Sequence, residues 1–230
     1  SVGADWKLTL QEYLFEKDGR YIYLDGKGDQ HVFEFLEEGK YYDTSGLGLI
    51  LTLGTEEHVI SDQFENKMYF ANERLTSTES CYNKNVGRSY CYYDNGKLKS
   101  VWERGNIGSK LRFVYSDVTG LLSEIRYEQN YVTKKTFHFY YDTSGNLIRI
   151  SRSVGTETRE VAMFRYGTSA AESGKLLYAV NSETLSAIRF EYETGEQGRV
   201  SEVSVGRVSA DFAPDSAAVN FTKKSENTFV

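Results

Sequence analysis

The 230 residues carry a formal net charge of −6, and side chains of both signs are interspersed, which argues against the clustered basic surface of a nucleic-acid groove. No apolar run approaches the ~20 residues of a membrane-spanning helix, so membrane insertion is not expected. Aromatic residues make up 14% of the chain, and such broad side chains favour strands. Length and composition therefore predict one all-β domain with a continuous core.

The N-terminal segment, residues 1–80, predicts a series of variant β-hairpins. Residues 19–25 and 30–35 alternate apolar and polar side chains on either side of the turn at Asp25, as expected for the two arms of a hairpin. Further strands are predicted at 48–53, 58–62 and 67–76.

One phrase recurs through residues 81–208: an aromatic strand, Tyr-Asp, a Gly-containing turn and an aliphatic strand. Residues 137–148 show it best, and the copies recur every 22 to 26 residues, a period typical of repeat architectures. Each copy is predicted to be a β-hairpin, and the whole chain one continuous unit, a curved and twisted antiparallel sheet. The copies are marked by Tyr93, Tyr115, Tyr141, Tyr166 and Tyr192.

Four turns read Asp-x-x-Gly, and Asp94 with Gly96 forms a related pair. An aspartate at the first position of such a turn can accept hydrogen bonds from backbone N–H groups two residues on, and a glycine at the fourth accommodates a positive φ. These residues are therefore predicted to be structural rather than catalytic. They are Asp25, Gly28, Asp43, Gly46, Asp94, Gly96, Asp117, Gly120, Asp142 and Gly145.

No residue pattern predicts catalysis, a cofactor or a metal site. His31, His58 and His138 lie in separate strand segments without ligand spacing, and no Gly-x-Ser-x-Gly elbow occurs. A glycosidase would need two converging carboxylates, and nothing distinguishes candidates such as Glu103 and Glu124 from solvated strand residues. The chain is expected not to be an enzyme.

Two cysteines, Cys81 and Cys91, lie ten positions apart. They could form one disulfide across a loop, or remain unpaired thiols in a tyrosine-rich sheet. The second interpretation is favoured. No CxxC pair exists, so a zinc module is not expected.

The aromatic residues have two interpretations. Their rings can fill the faces of the sheet as cross-strand pairs, worth ~0.2–1 kcal/mol each, or they can form an exposed platform for a sugar. Packing is the simpler interpretation, and three or more rings along one exposed groove would favour binding. The residues that could form such a platform are Tyr92, Tyr93, Trp102, Tyr140 and Tyr141.

The Tyr-Asp copies resemble the bacterial Rhs/YD-repeat family. The resemblance is carried by Tyr93-Asp94, Tyr141-Asp142 and the degraded copy Ser116-Asp117, each followed by Gly and an aliphatic strand. Residues 21–33 are also similar to the family phrase Asp-Gly-x-Gly-x-x-His-x-Phe, and residues 42–49 continue it.

The resemblance implies a ribbon of hairpins that spirals into a hollow shell around a C-terminal toxin or effector, in a secreted or cell-surface bacterial protein. Its implied partners are flanking repeats of the same polypeptide and the enclosed toxin domain. Two late copies depart from the pattern, with Tyr166-Gly167 and Tyr192-Glu193 in place of Tyr-Asp. The chain is predicted to be a segment of shell wall; the alternative is a surface adhesion module that binds carbohydrate or protein through exposed aromatics.

Residues 209–230 are expected to begin a further, truncated repeat. From Ala217 onward the sequence predicts one strand, a polar turn and a second strand just beginning. A sheet that stopped there would leave an unpaired edge. We therefore expect the natural polypeptide to continue beyond Val230.

Overall fold

A computed structural model describes residues 6–169, 172–193, 198–215 and 219–228. All regular elements in these residues are β-strands, which confirms the all-β prediction. None of the described residues forms a helix that could cross a membrane. Residues 1–5 of the N-terminal segment, together with Ala217 and Ala218 of the predicted last repeat, lie outside the described residues.

Nineteen strands follow one another along the described chain. In chain order they are β1 (Tyr13–Lys17), β2 (Arg20–Leu24), β3 (Gln30–Glu37), β4 (Lys40–Asp43), β5 (Ile50–Thr52), β6 (His58–Ser61), β7 (Lys67–Ala71), β8 (Arg74–Glu79), β9 (Arg88–Tyr92), β10 (Leu98–Glu103), β11 (Asn106–Tyr115), β12 (Leu122–Gln129), β13 (Val132–Tyr141), β14 (Leu147–Val154), β15 (Glu157–Tyr166), β16 (Leu176–Asn181), β17 (Ser186–Tyr192), β18 (Val200–Val208) and β19 (Phe221–Thr228).

The chain divides into two compact units. Unit 1 comprises Ser1–Val114 and Arg126–Thr133, and unit 2 comprises Tyr115–Ile125 and Lys134–Val230. The division falls inside the segment 81–208 that was predicted to hold the repeats, rather than at either end of that segment.

The first eight strands of unit 1 form a closed antiparallel ring. Each strand pairs with the next in chain order, and β1 also pairs with β8 through Tyr13 and Arg74. Closure is made by the Leu14 N–H, which donates to the Glu73 carbonyl at 3.0 Å, and by the Leu75 N–H, which donates to the carbonyl of Glu12 at 3.2 Å. Strand β1 is thus hydrogen-bonded on both sides, and this segment is a ring rather than part of a curved open sheet.

Side chains fill the interior of the ring. The alternation of each short strand turns one face inward, and an eight-stranded ring is just wide enough for such side chains to fill. Each large apolar side chain buried in this way contributes ~1.5–3 kcal/mol relative to an exposed one. The buried apolar residues of the ring are Leu14, Tyr23, Phe33, Leu51, Ile60, Phe70 and Leu75.

The later strands form hairpins with a shared irregularity. In unit 2, strands β13 to β19 pair antiparallel with their neighbours in chain order. The register shifts just before Tyr141, Tyr166 and Tyr192, each of which ends its strand. Such a bulge re-aims the side chain at that position, so the tyrosine before each turn has a fixed direction.

The core of unit 2 lies where β15 to β18 meet the segment before β19. Its buried residues are packed against half-buried Tyr178 and Phe221, and the Tyr178 ring lies 5.9 Å from the Phe221 ring. The buried members are Met163, Val180, Ala187, Val208 and Phe212.

The last strand differs from the sequence prediction. Strand β19 is uninterrupted from Phe221 to Thr228, so the predicted polar turn in this segment is wrong. Strand β18 supplies the partners of β19, from Val208 opposite Phe221 to Glu202 opposite Thr228. Within β19, Lys223 places its Nζ 2.9 Å from a Glu202 carboxylate oxygen.

Candidate functional site

Three predicted turns use their aspartate to hold the backbone. Asp142 Oδ1 accepts hydrogen bonds from the N–H groups of Ser144 and Asn146, each at 2.9 Å. Gly145 follows with a φ of +84°, in the left-handed region that favours glycine. Backbone N–H groups are likewise bound by Asp25, in a turn where Gly28 has a φ of +100°, and by Asp43, with Gly46 at +85°.

Two predicted turns begin one residue earlier than expected. The carbonyl of Tyr93 accepts the Gly96 N–H at 2.8 Å, and the carbonyl of Ser116 accepts the Gly120 N–H at 2.8 Å. The Ser116 hydroxyl also accepts the Thr119 N–H at 3.2 Å. As a correction, Asp94 and Asp117 lie in their turns at the second position, not at the first position where a carboxylate holds the backbone.

Sequence analysis missed one turn of the same kind, at residues 62–66. Asp62 Oδ1 accepts the N–H groups of Phe64 and Asn66 at 2.8 and 2.9 Å. Glu65 stands where the other turns have glycine, and its φ is +64°. The turn was overlooked because the glycine that marks the pattern is absent.

Replacing Glu65 with glycine is expected to raise the free energy of unfolding by about 0.5–1 kcal/mol, because glycine adopts the left-handed region without the steric cost of a side chain. The matched change Gly145→Glu should lower the free energy of unfolding by about 1–3 kcal/mol, and Thr143→Ala, at an exposed turn position, should change it by less than ~0.5 kcal/mol. Urea unfolding followed by circular dichroism measures all three. A loss of stability in Glu65→Gly would contradict the assigned turn.

His31 joins the first two turns. It is 7% exposed; its Nδ1 lies 3.0 Å from Ser45 Oγ and its Nε2 lies 3.3 Å from Asp25 Oδ2. The imidazole also stacks on Tyr23, with ring centroids 5.4 Å apart. His31 is thus a buried side chain with polar partners on both ring nitrogens.

Three turn carboxyls give the fold an acid sensitivity. At Asp25, Asp43 and Asp62, burial opposes ionisation, but the hydrogen bonds donated to each carboxylate outweigh it and hold the pKa below its usual value. In the unfolded chain the same groups have ordinary pKa values of ~3.9. Their contribution to stability is therefore complete above that unfolded-state pKa and is lost as pH falls through the lower folded-state pKa values.

We expect the thermal midpoint of unfolding to decrease as the pH is lowered from 6 to about 3. The decrease should be smaller in Asp25→Asn than in the unchanged chain. Lys27→Ala alters an exposed side chain of the same turn without removing a carboxyl, so it should retain the full loss. Differential scanning calorimetry across this range measures the effect. A midpoint in Asp25→Asn that drops as steeply as in the control would refute the role of this carboxyl.

A tyrosine hydroxyl fastens hairpins to preceding strands at three places, which we call the tyrosine latches. The latches join Tyr92 to the Leu75 carbonyl at 2.7 Å, Tyr141 to the Leu122 carbonyl at 2.8 Å and Tyr192 to the Leu176 carbonyl at 2.8 Å. Burial raises the pKa of all three phenols, so each hydroxyl keeps the proton that it donates. Tyr92, rather than the predicted marker Tyr93, is the counterpart of Tyr141.

The remaining predicted platform tyrosines also have partners. Tyr93 donates its hydroxyl to the Phe113 carbonyl at 3.2 Å, and Lys99 Nζ lies 5.4 Å from the centre of the Tyr93 ring. The guanidinium of Arg149 lies 4.3 Å from the centre of the Tyr140 ring, within the range of a cation–π contact. Four of the five predicted platform residues are therefore engaged by the protein itself.

Trp102 has a different environment. It lines a cavity of about 360 Å³ in unit 1, which we call the Trp102 cavity. Two aromatic residues line this space, fewer than the three that would mark an extended aromatic groove. The lining side chains that carry polar groups or rings include Arg88, Trp102, Glu103, Asn106, Lys110 and Tyr127.

A half-buried carboxyl in the ring, Glu12, was not found by sequence analysis. It accepts a hydrogen bond from the hydroxyl of Tyr23. Burial raises the pKa of Glu12, and burial beside Glu12 raises that of Tyr23. The backbone carbonyl of Glu12 meanwhile accepts the Leu75 N–H that closes the ring. The β1–β2 hairpin, in which Leu14 lies opposite Tyr23, brings this carboxyl to its partner, and no local motif marks it.

Unit 2 brings together a carboxylate, a histidine and a serine. His138 Nδ1 lies 3.5 Å from Glu124 Oε1, and its Nε2 lies 3.0 Å from Ser153 Oγ. Ser153 belongs to β14, which is hydrogen-bonded to a strand on each side, whereas a serine nucleophile needs free N–H donors for the oxyanion. We interpret the group as a cross-strand polar network on the face of the sheet.

The remaining candidates for metal or redox chemistry are separate from one another. Cys81 is exposed and Cys91 is half-buried, and both are free thiols. His58 accepts the Gly54 N–H at 3.4 Å and packs edge-on against Tyr21. In the described part of the chain, no group of three or more His, Cys, Asp or Glu side chains could hold a metal ion.

Fold and side-chain geometry together define an antiparallel β-hairpin protein whose turn aspartates and strand tyrosines bind its own backbone. A stretch of 79 residues, 34% of this chain, is 30% identical to Teneurin-1 from Homo sapiens and spans 3% of the length of that protein. No family model matches the chain. A porin-like protein from Bacteroides uniformis ATCC 8492, solved as a crystal structure, aligns over 93% of this chain and 95% of its own with 13% identity and a TM-score of 0.36.

Proposed function

We propose that this chain is a structural segment of a larger secreted or cell-surface Rhs/YD-type protein, in which its hairpins form part of a shell wall around a C-terminal toxin or effector. The observation that carries the proposal is the tyrosine latch. Such a bond recurs at Tyr92, Tyr141 and Tyr192 and ties the end of one strand to the start of an earlier hairpin arm. In a wall assembled from successive hairpins, bonds of this kind would add to the backbone hydrogen bonds that already join neighbouring strands.

Sequence similarity supports the same proposal. The YD-repeat resemblance rests on Tyr-Asp hairpins, and the 79-residue similarity to Teneurin-1 supports a YD-type β-hairpin protein. The matched stretch spans 3% of the length of that relative. The enclosed cargo and the flanking repeats are therefore proposed for this chain and do not follow from the similarity.

The mechanism of such a segment is mechanical. Hairpins pair edge to edge and bury aliphatic side chains at the start of the second arm, as Leu98, Leu122 and Leu147 do with at most 1% exposure. The ring of β1 to β8 also limits aggregation, since β1 is paired on both sides and offers no free edge to another chain. No enzymatic step is assigned to these residues.

Limited proteolysis of the native parent polypeptide, read by mass spectrometry, tests the proposal. We expect a protease-resistant body that spans these hairpins and retains a separate C-terminal fragment after gel filtration. The control is the same digest after denaturation and rapid dilution, which should release that fragment. A native chain cut at its exposed turns, with no fragment held inside, would refute the shell.

A further inference from the structure

We propose that the Trp102 cavity binds one sugar ring of a neutral saccharide. This site is independent of the shell: a wall segment could carry it on its surface, and its failure would leave the hairpin architecture untouched.

The strand register builds the cavity around Trp102. On β10, Trp102 lies opposite Lys110 of β11 on one side and opposite Ser89 of β9 on the other. The register between β10 and β11 shifts between Trp102 and Glu103, where Glu103 then pairs with Asn106. This bulge next to the turn places polar side chains beside the indole.

The rings and several polar groups of the cavity are unengaged by the protein. Among the described residues, no hydrogen bond or ion pair involves the side chains of Trp102, Glu103, Asn106 or Tyr127. The contrast with the latch tyrosines is direct, because those donate to a backbone carbonyl at 2.7 or 2.8 Å. The indole N–H of Trp102 and the phenol of Tyr127, two half-buried residues, are therefore available to a ligand.

The combination of groups indicates the class of ligand. A volume of about 360 Å³ lies within the ~300–1,000 Å³ range of small-molecule sites. Aromatic rings pack against the C–H face of a pyranose, while the hydroxyls of the sugar need both donors and acceptors. In this cavity the Trp102 indole and the Asn106 amide can donate, and the Glu103 carboxylate can accept. A wholly apolar ligand would leave these polar groups desolvated without partners.

The charges around the cavity favour a neutral ligand. Lys110 is paired with Glu128, with its Nζ 3.5 Å from a carboxylate oxygen. That leaves Arg88 and Glu103 as one positive and one negative group on the lining. An anionic or cationic ligand would meet one matching and one opposing charge, whereas a hydroxylated neutral ring can hydrogen-bond to both.

The test is titration of the chain with methyl glycosides of glucose, galactose, mannose and N-acetylglucosamine, followed by tryptophan fluorescence and saturation-transfer NMR. We expect saturable binding of at least one glycoside. Asn106→Ala should weaken that binding about tenfold, as the loss of one ligand hydrogen bond predicts, and Trp102→Ala should abolish it. Tyr82→Ala, which removes an aromatic ring that is 91% exposed outside the cavity, should leave the affinity unchanged.

Asn106→Ala keeps the proposal falsifiable if Trp102→Ala does not fold, because Asn106 is an exposed side chain and surface substitutions usually have small effects on stability. Circular dichroism of each variant establishes the folded state first. The proposal is overturned if none of the four glycosides binds, if Asn106→Ala binds as tightly as the unchanged chain, or if adenosine binds in the cavity and the glycosides do not.

Discussion

Replacing Leu122 with alanine is expected to lower the free energy of unfolding by about 2–5 kcal/mol, the range for large-to-small changes in a packed core. Leu122 has no exposed surface and is the first residue of β12. Leu98 and Leu147 take the same place at the start of β10 and β14 and are equally buried. The effect is large because the cavity left behind adds to the lost burial of the removed methyl groups.

Urea unfolding followed by circular dichroism measures this loss, with Val118→Ala as the matched control. Val118 lies in the turn before β12 and is 95% exposed, so its replacement should change the free energy of unfolding by less than ~0.5 kcal/mol. Similar effects from the two substitutions would mean that the aliphatic residue after each turn is not a core position.

Replacing Tyr141 with phenylalanine is expected to cost about 1–2 kcal/mol, although it removes a single oxygen atom. The hydroxyl donates to the Leu122 carbonyl at 2.8 Å, and its loss leaves that acceptor without this donor in a site that excludes much of the solvent. The ring remains, so packing is conserved and the measured loss reports the latch. We expect the same direction for Tyr92→Phe and Tyr192→Phe.

The neighbouring residue supplies the control for this experiment. Tyr140→Phe also removes one hydroxyl, but that hydroxyl lies 3.3 Å from the Ser151 side chain on a partly exposed face. Its loss should cost less than ~0.5 kcal/mol. Equal costs at Tyr140 and Tyr141 would show that the bond to Leu122 does not hold the hairpins together.

The turns were the most predictable part of the molecule, since their chemistry is local. A carboxylate at Asp142 reaches N–H groups two and four residues on, so neighbouring residues suffice to specify the geometry. The same local reasoning assigned Asp117 to the first position of its turn, although it occupies the second. Ser116 takes the first position, and its hydroxyl accepts a backbone N–H from Thr119. Local reasoning also missed Asp62, where Glu65 takes a backbone conformation that the pattern reserves for glycine.

The functional use of the aromatic residues was less predictable. Sequence analysis grouped Trp102 with four tyrosines as one possible platform, because composition and alternation treat these rings alike. The structure separates them: Tyr92 and Tyr141 donate their hydroxyls to carbonyls 17 and 19 positions away, whereas Trp102 lines a cavity. Which carbonyl or cavity lies next to a ring depends on strand register, which single strands do not encode.

The sequence by itself determined the strand and turn content, since alternation of period two and turn residues act within a few positions. Only the tertiary structure decided that β1 returns to pair with β8 and that a cavity forms beside Trp102. These contacts join residues far apart in the chain, and they depend on how the buried faces of many strands pack at once. A local pattern specifies which face of a strand is apolar, but the partner of that face is chosen by the packing of the whole unit.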